Sequence, residues 1–201
     1  MILIDDSLGD YSREKYEALL SDTPEWRLKT LERLARFDDR LRSLLAFRLL
    51  REGLKVEFGM DYVPPFSFHP GGKPYFAGLP DIHFNLSHCS AAVACAVSRS
   101  PVGIDVESIL PFDSEVAEYV LSPLEFESLR KSDYRDVDFA VLWTRKESVC
   151  KLSGEGLPSQ QKLRDILKEP GTLLSTTVNM RKGYVVSVAM NRGNNLADFI
   201  F

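Results

Sequence analysis

Several stretches of this 201-residue chain place reactive side chains at informative spacings. One is Val102 to Glu107, VGIDVE. In a strand, successive side chains alternate between faces. Val102, Ile104 and Val106 then share one face, and Gly103, Asp105 and Glu107 share the other. The two acids sit with Cα atoms roughly 6.6–7 Å apart, at about 3.3 Å rise per residue. Like charges so close repel unless a positive group lies between them. Two readings follow: an edge strand whose acids face water, where most Asp and Glu are found, or half of a metal site.

A second stretch is Trp143 to Lys151, WTRKESVCK. On a helix, Glu147 and Lys151 lie four residues apart and share a face, with Trp143 one turn earlier. This is either an ordinary surface ion pair or a partly covered acid, because Phe139, Ala140, Leu142 and Val149 make the helix apolar elsewhere. A third stretch, FNLSHC (Phe84 to Cys89), sets Ser87 beside His88. Neighbours in a strand point oppositely, so the pair is poorly placed as nucleophile and base. Both side chains can donate to phosphate oxygens. His83 and His88 are five apart, poorly spaced for joint metal ligation. In GGKP, Lys73 beside glycines can offer a point charge to a phosphate. The Walker pattern is absent. Arg42 and Ser43 in RLRSLL are ambiguous in the same way. As a set, Asp105, Glu107 and Glu147 suit a hard cation such as Mg²⁺, which takes a few carboxylates and leaves its other positions to water and phosphate. Lys73, Arg42, Ser43, Ser87 and His88 suit phosphate oxygens. The inventory describes a Mg²⁺ site for a phosphorylated substrate.

The elements that must position these groups are legible in outline. MILI reads as a strand and SREKYEALLS as a helix with Ser12 as N-cap. Pro24 opens a second helical region as its first residue. Leucines at 28, 31, 34, 41, 44, 45 and 49 continue it at helical spacing, FDD divides it in two, and Gly53 stops it. The region from Gly59 to Pro80 is rich in proline and glycine and reads as loop or hairpin. IHFNLSH, AAVACAVS and VGIDVE read as strands. SEVAEYVL, SPLEFESLRKS and DFAVLWTRKESVCKLS read as helices, with Pro123 at the first position after Ser122. QKLRDILK reads as a short helix. TLLSTTVNM and GYVVSVAM close the chain as strands joined by RKG. The expectation is an α+β fold of two similar half-domains, 1–100 and 101–201, packed together in one chain.

Composition narrows the function. The chain is 44% hydrophobic and 27% charged, an ordinary globular balance. A net charge of −4 argues against a nucleic-acid binder. Three cysteines, Cys89, Cys95 and Cys150, with no C-x-x-C, suggest a reducing, cytoplasmic compartment. The N-terminal apolar run is too short for a signal peptide, and no run of about 18 apolar residues suggests a membrane span.

GKP, FNLSHC, VGIDVE and WTRKESVCK, in this order and spacing, resemble the 4′-phosphopantetheinyl transferases of the larger, Sfp-like class. The motifs run from Gly72 to Lys151, and RFDDRLRSLL extends the likeness toward the N-terminus. The resemblance implies a pseudo-dimer of two α+β halves with coenzyme A in the cleft between them. It implies transfer of phosphopantetheine to a serine of an apo acyl or peptidyl carrier protein, releasing adenosine 3′,5′-bisphosphate. Asp105, Glu107 and Glu147 would hold Mg²⁺, or Mn²⁺, on the pyrophosphate. Glu147 would also deprotonate the serine, and Lys151 would position Glu147 or offset pyrophosphate charge. Lys73, Ser87, His88, Arg42 and Ser43 would contact coenzyme A. Arg27 and Lys29, in an uncertain register, are left out of that set. The doubled layout implies a monomer. An acidic carrier calls for a basic or apolar patch, expected near Ser114 to Lys131. The competing readings are a Mg²⁺-dependent nuclease and an inactive binding module for carrier protein or coenzyme A.

Overall fold

The computed structural model describes residues 1–156, 158–168 and 170–193. The chain is mixed α and β. Strand β1 (Ile2–Asp5) leads through a 3-10 turn into α1 (Arg13–Ser21), where the Ser12 hydroxyl accepts from the Lys15 amide at 3.3 Å. The next helix, α2, spans Glu25–Leu31, with Pro24 as its N-cap and so just outside it. The long helix α3 spans Phe37–Phe58.

Two expectations about α3 are corrected. The break between the leucine-rich helices falls at residues 32–36, not at FDD. Asp38 and Asp39 instead occupy the first turn of α3, where carboxylates favour the positive end of the helix dipole. Gly53 does not stop the helix. A Cβ there would lie 2.6 Å from Val97 Cγ2, so the glycine lets α3 close onto the sheet. The stop is Gly59, in the left-handed conformation with φ 68°.

The proline-rich region forms a hairpin of β2 (Ser67–Phe68) and β3 (Pro74–Tyr75). Strands β4 (His83–His88) and β5 (Val93–Ser98) join β1 in an antiparallel sheet of order β1-β5-β4. Strand β6 (Val102–Ser108) then starts a second sheet. Helices α4 (Ser114–Val120), α5 (Pro123–Arg130) and α6 (Arg135–Ser153) follow. Ser122 and Glu125 form a capping box at the start of α5, worth about 1 kcal/mol. After α7 (Gln160–Asp165), β7 (Thr172–Asn179) and β8 (Tyr184–Asn191) complete an antiparallel sheet of order β6-β8-β7. The last eight residues of the expected second half, 194–201, lie outside the described residues. Among the described residues, no helix is long and apolar enough to cross a membrane.

The alternation within strands explains the layering. In β5, Ala94 and Ala96 face one way and Cys95 and Val97 the other. The alanines meet Val102, Ile104 and Val106 of β6 and Tyr184, Val186 and Val188 of β8 in one core shared by both sheets. Cys95 and Val97 meet Phe47, Leu50 and Leu54 of α3. The opposite face of β6 is covered by α6. This contact is unusually close: a Cβ on Gly103 would sit 2.0 Å from the Ser148 carbonyl oxygen and 2.5 Å from the Leu152 nitrogen. A fully buried ammonium, Lys146, ties α6 to its neighbours. It donates to the Leu163 and Arg164 carbonyls, each at 3.0 Å, and pairs with Glu125 at 3.0 Å.

A methyl group at position 103 meets backbone, which cannot rotate away. Gly103→Ala is therefore expected to cost about 3 kcal/mol. Urea unfolding of the two proteins tests this, and equal midpoints at equal slopes would mean that α6 does not seat on β6 through Gly103.

Candidate active site

Strand β4 meets the free edge of β6 through side chains. Asn85 Oδ1 accepts from the Ile104 amide at 2.8 Å, and Ser87 Oγ accepts from the Val106 amide at 3.2 Å. Residues 85 and 87 share one face of β4, so two polar side chains in alternation satisfy alternate amides of β6. This arrangement carries Ser87 directly to Asp105. The hydroxyl donates to Asp105 Oδ1 at 2.8 Å. Lys151, reaching down from α6, donates to the same oxygen at 2.5 Å and to Ser87 Oγ at 3.0 Å. Asp105 is only 2% exposed. Its second oxygen, Oδ2, is buried and has no hydrogen-bond partner among the described residues.

The helical spacing of Glu147 and Lys151 thus does not produce an ordinary surface pair. Lys151 is spent on Asp105 and Ser87. Glu147 lines a cavity of about 350 Å³ together with Lys151, Gly71, Gly72, Lys73, Asn85, Leu86 and Cys150. Burial, then the Asp105 charge, push its carboxyl above the usual range, while Lys151 pulls the other way. Glu107, two residues beyond Asp105 on the same strand face, is pushed up to about 7. Burial is the main cause and the Asp105 charge the next; a hydrogen bond from Trp143 and the Lys151 charge oppose it. The three acids are therefore brought into one electrostatic neighbourhood, with one ammonium against them. Among the described residues, three or more His, Cys, Asp and Glu groups do not form a ready-made metal cage. The donor set nevertheless fits a hard divalent cation: three carboxylates that repel each other, one of them with an unpartnered buried oxygen.

The other residues singled out in the sequence lie at varied distances from this centre. Lys73 donates to the Val102 and Leu152 carbonyls at 2.9 and 3.2 Å, so its ammonium ties the β2–β3 hairpin to β6 and to the C-terminal end of α6. Burial lowers its pKa to about 8. The hairpin comes close enough that a Cβ on Gly71 would lie 2.2 Å from the Gly154 carbonyl oxygen. His88 points away from Ser87, as strand alternation requires. Partial burial, then the Arg42 and Lys151 charges, lower its pKa. Arg42 pairs with Asp39 at 2.6 Å. Ser43 turns to Arg27, whose guanidinium donates to the Ser43 hydroxyl at 2.5 Å and carbonyl at 2.8 Å.

Arg27 was set aside in the sequence and is 7% exposed in the structure. It lies over the rings of Phe47 and Phe66, at 5.5 and 6.0 Å from their centroids. Burial lowers its pKa to about 10, and its Nε has no partner among the described residues. The flanking Trp26 and Leu28 were the only local sign that this arginine differs from its neighbours. Lys29, by contrast, forms an exposed pair with Glu25. Asn85 was also missed, because nothing local distinguishes an amide that bonds a neighbouring strand from one that faces water.

The Glu107 environment sets a pH dependence. Its ordinary value is 4.5 and its value in the fold about 7. Between these, the folded chain holds a proton that the unfolded chain has released. Stability without divalent cation should therefore fall as pH rises from about 4.5 through about 7. Thermal unfolding in EDTA at pH 5 and pH 7.5 tests this. Glu107→Gln is expected to flatten the difference, and an equal slope in both proteins would remove Glu107 as its source.

Residues 101–188, which run from β6 through most of β8, match the 4′-phosphopantetheinyl transferase superfamily. A 4′-phosphopantetheinyl transferase of Bacillus subtilis is 37% identical over 123 residues, covering 60% of this chain and 55% of that protein. The 4′-phosphopantetheinyl transferase Sfp of Bacillus subtilis strain 168 is 35% identical over 159 residues, 78% of this chain and 70% of that protein. The 4′-phosphopantetheinyl transferase gsp of Aneurinibacillus migulanus is 34% identical over 152 residues, 74% of this chain and 63% of that protein. The matches thus span from just over half to seven tenths of the length of these relatives. With Asp105, Glu107, Glu147 and Lys151 gathered on β6 and α6 inside the matched region, this chain belongs to the 4′-phosphopantetheinyl transferase superfamily.

Proposed function

We propose that this chain moves the 4′-phosphopantetheine arm of coenzyme A onto a serine hydroxyl of an apo acyl or peptidyl carrier protein. The observation that carries the reading is Asp105, buried with one oxygen held by Ser87 and Lys151 and the other unpartnered, with Glu107 two residues along the same strand face and Glu147 on the neighbouring helix lining a cavity. Coenzyme A lies in that cavity, between the half-domains 1–100 and 101–201. These two units are pseudo-dimeric repeats in a monomeric chain: each has a long helix, α3 or α6, against a three-stranded antiparallel sheet.

Asp105, Glu107 and Glu147 would hold Mg²⁺, or Mn²⁺ in its place. A cation held there would neutralise charge on the pyrophosphate of coenzyme A. Glu147 takes the proton of the incoming serine, directly or through one water. Burial and the Asp105 charge raise its pKa, which makes it a stronger base than an ordinary carboxylate. The serine oxygen bonds to the phosphorus that carries the pantetheine arm. The bond from that phosphorus to the bridging oxygen breaks, and adenosine 3′,5′-bisphosphate leaves with the electron pair. Lys151 offsets negative charge at the centre through Asp105. His88, Arg42, Ser43 and Lys73 line the approach to the nucleotide end of coenzyme A. Arg27 supports that end by holding Ser43.

The carrier protein docks on the face formed by α4 and α5. Leu124 is 79% exposed and Tyr119 56%, and Val116 of α4 is exposed as well. Arg130 and Lys131 each pair only loosely with Glu127, at 3.8 and 3.7 Å, and remain open to an acidic partner. The acidic net charge and the apolar docking face favour this reading over a nuclease.

Intact-mass spectrometry of an apo carrier protein with this chain, coenzyme A and Mg²⁺ is the direct test. A gain of one phosphopantetheine group, lost in EDTA, is expected; no gain across fatty-acid, polyketide and peptide carriers would sink the reading. Asp105→Ala is expected to abolish transfer while the circular dichroism spectrum is kept. Reversing Arg130 and Lys131 to Glu should raise the KM for carrier protein about tenfold, in line with the loss of a charge pair at a contact, and leave the KM for coenzyme A alone. Equal kinetics would move the docking face elsewhere.

A further inference from the structure

Strand β7 (Thr172–Asn179) is the outer strand of the sheet β6-β8-β7 and pairs only with β8 among the described residues. In an antiparallel edge strand, alternate residues turn their N–H and C=O groups away from the paired neighbour. Apart from the turn bond that Asn179 accepts from Gly183, the backbone of 172–179 has no partner outside β8 among the described residues. Strand edges are commonly blunted by proline, by shortness or by charged side chains along them. This edge has none of these: its eight residues read TLLSTTVN. Charge gathers around it instead. Arg192, whose amide donates to the Gly171 carbonyl at 2.6 Å, flanks the start. Met180, Arg181 and Lys182 follow the end, in the turn to β8. Arg145 of α6 reaches the middle, its Nε donating to the Thr176 hydroxyl at 3.0 Å. Lys182 is engaged with Asp6, at 3.7 Å. Arg145, Arg181 and Arg192 form no ion pair among the described residues. We propose that the outer edge of β7 takes up an extended segment of a partner protein as an added strand, with acidic side chains at both ends of that segment.

Main-chain pairing along such an edge supplies affinity, and alternate side chains supply the choice of partner. The edge is about 26 Å long, at about 3.3 Å per residue. A segment of matching length meets Arg192 at one end and Arg181 at the other. A guanidinium receives a carboxylate through two parallel hydrogen bonds, which favours acids there. The same charges disfavour a second copy of this chain as the occupant. Two-fold antiparallel pairing of β7 with β7 sets the start of each strand against the end of the other. Arg192 would then face the partner's Arg181, and like charges placed opposite each other are destabilising. In the sheet order, β7 lies two strands from Asp105 on β6, so the surface is separate from the acid centre and does not depend on its chemistry.

The probe is a synthetic peptide with an alternating Thr-Val centre and a pair of glutamates at each end, added to the full chain. Amide hydrogen exchange in β7 is followed by NMR. The outward amides are expected to exchange fast in the chain alone and to slow about tenfold with the peptide. A peptide with lysines in place of the glutamates, and a glutamate peptide N-methylated along one edge, are each expected to leave that exchange unchanged. Arg181→Glu combined with Arg192→Glu, both at exposed positions, is expected to weaken binding of the glutamate peptide about tenfold and to keep the thermal midpoint of the wild type. No slowing by the glutamate peptide would sink the proposal. Outward amides that are already slow in the chain alone, at every concentration, would mean that the chain covers its own edge. Protection that grows with chain concentration would make a second copy the occupant. Equal binding of the lysine peptide would overturn the acidic character of the segment, and equal binding of the N-methylated peptide would remove strand addition.

Discussion

The burial of one carboxylate, Asp105, is the constraint on which the rest of this structure turns. A charge taken out of water is costly unless it is paired and hydrogen-bonded. Asp105 meets that demand at one oxygen only, through Lys151 and Ser87. The two partners come from different elements, α6 and β4. The carboxylate therefore holds its place only if the first sheet, the second sheet and the helix over it are all seated. Charge placement and tertiary packing are one problem here.

Much of the packing serves that seating. Gly103 lets the backbone of α6 lie against β6, and Gly71 lets the β2–β3 hairpin reach the loop after α6. Lys73 and Lys146 each bury an ammonium on backbone carbonyls at either side of α6. A lysine used this way satisfies carbonyls that the end of a helix leaves open and locks the helix to its neighbours. The helix that carries Glu147 and Lys151 is thus fixed at several points, and rigid support is what a site that acts by positioning needs.

The electrostatics follow from the same geometry. One ammonium, that of Lys151, faces three acids, so the local balance of charge is negative. The proton held by Glu107 near neutrality and the raised carboxyl of Glu147 express that excess. A divalent cation held at the proposed site would offset that excess.

The amino-acid order by itself determined the strand VGIDVE, with its valines and isoleucine inward and its acids on the other face. Period-two alternation is a property of the local chain. It also determined the helices from Ser114 to Ser153, the opening of one of them by Pro123 after Ser122, and the membership of one chemical inventory by three acids and a lysine. Local signals misled where a residue's role is set by what lies across from it. Gly53 looks like a helix stop and is instead a contact point with Val97; spacing alone left Glu147 and Lys151 as either a surface pair or a partly covered acid, and Lys151 turns to Asp105. Only the tertiary structure decided that Arg27 is buried over aromatic rings, that Asn85 and Ser87 bond the free edge of β6, and that Asp105 keeps one oxygen unpartnered. The physical reason is the same in each case. Spacing along the chain specifies which side chains share a face, but hydrogen-bond partners and burial depend on segments far away in sequence, and those meet only when the sheets pack.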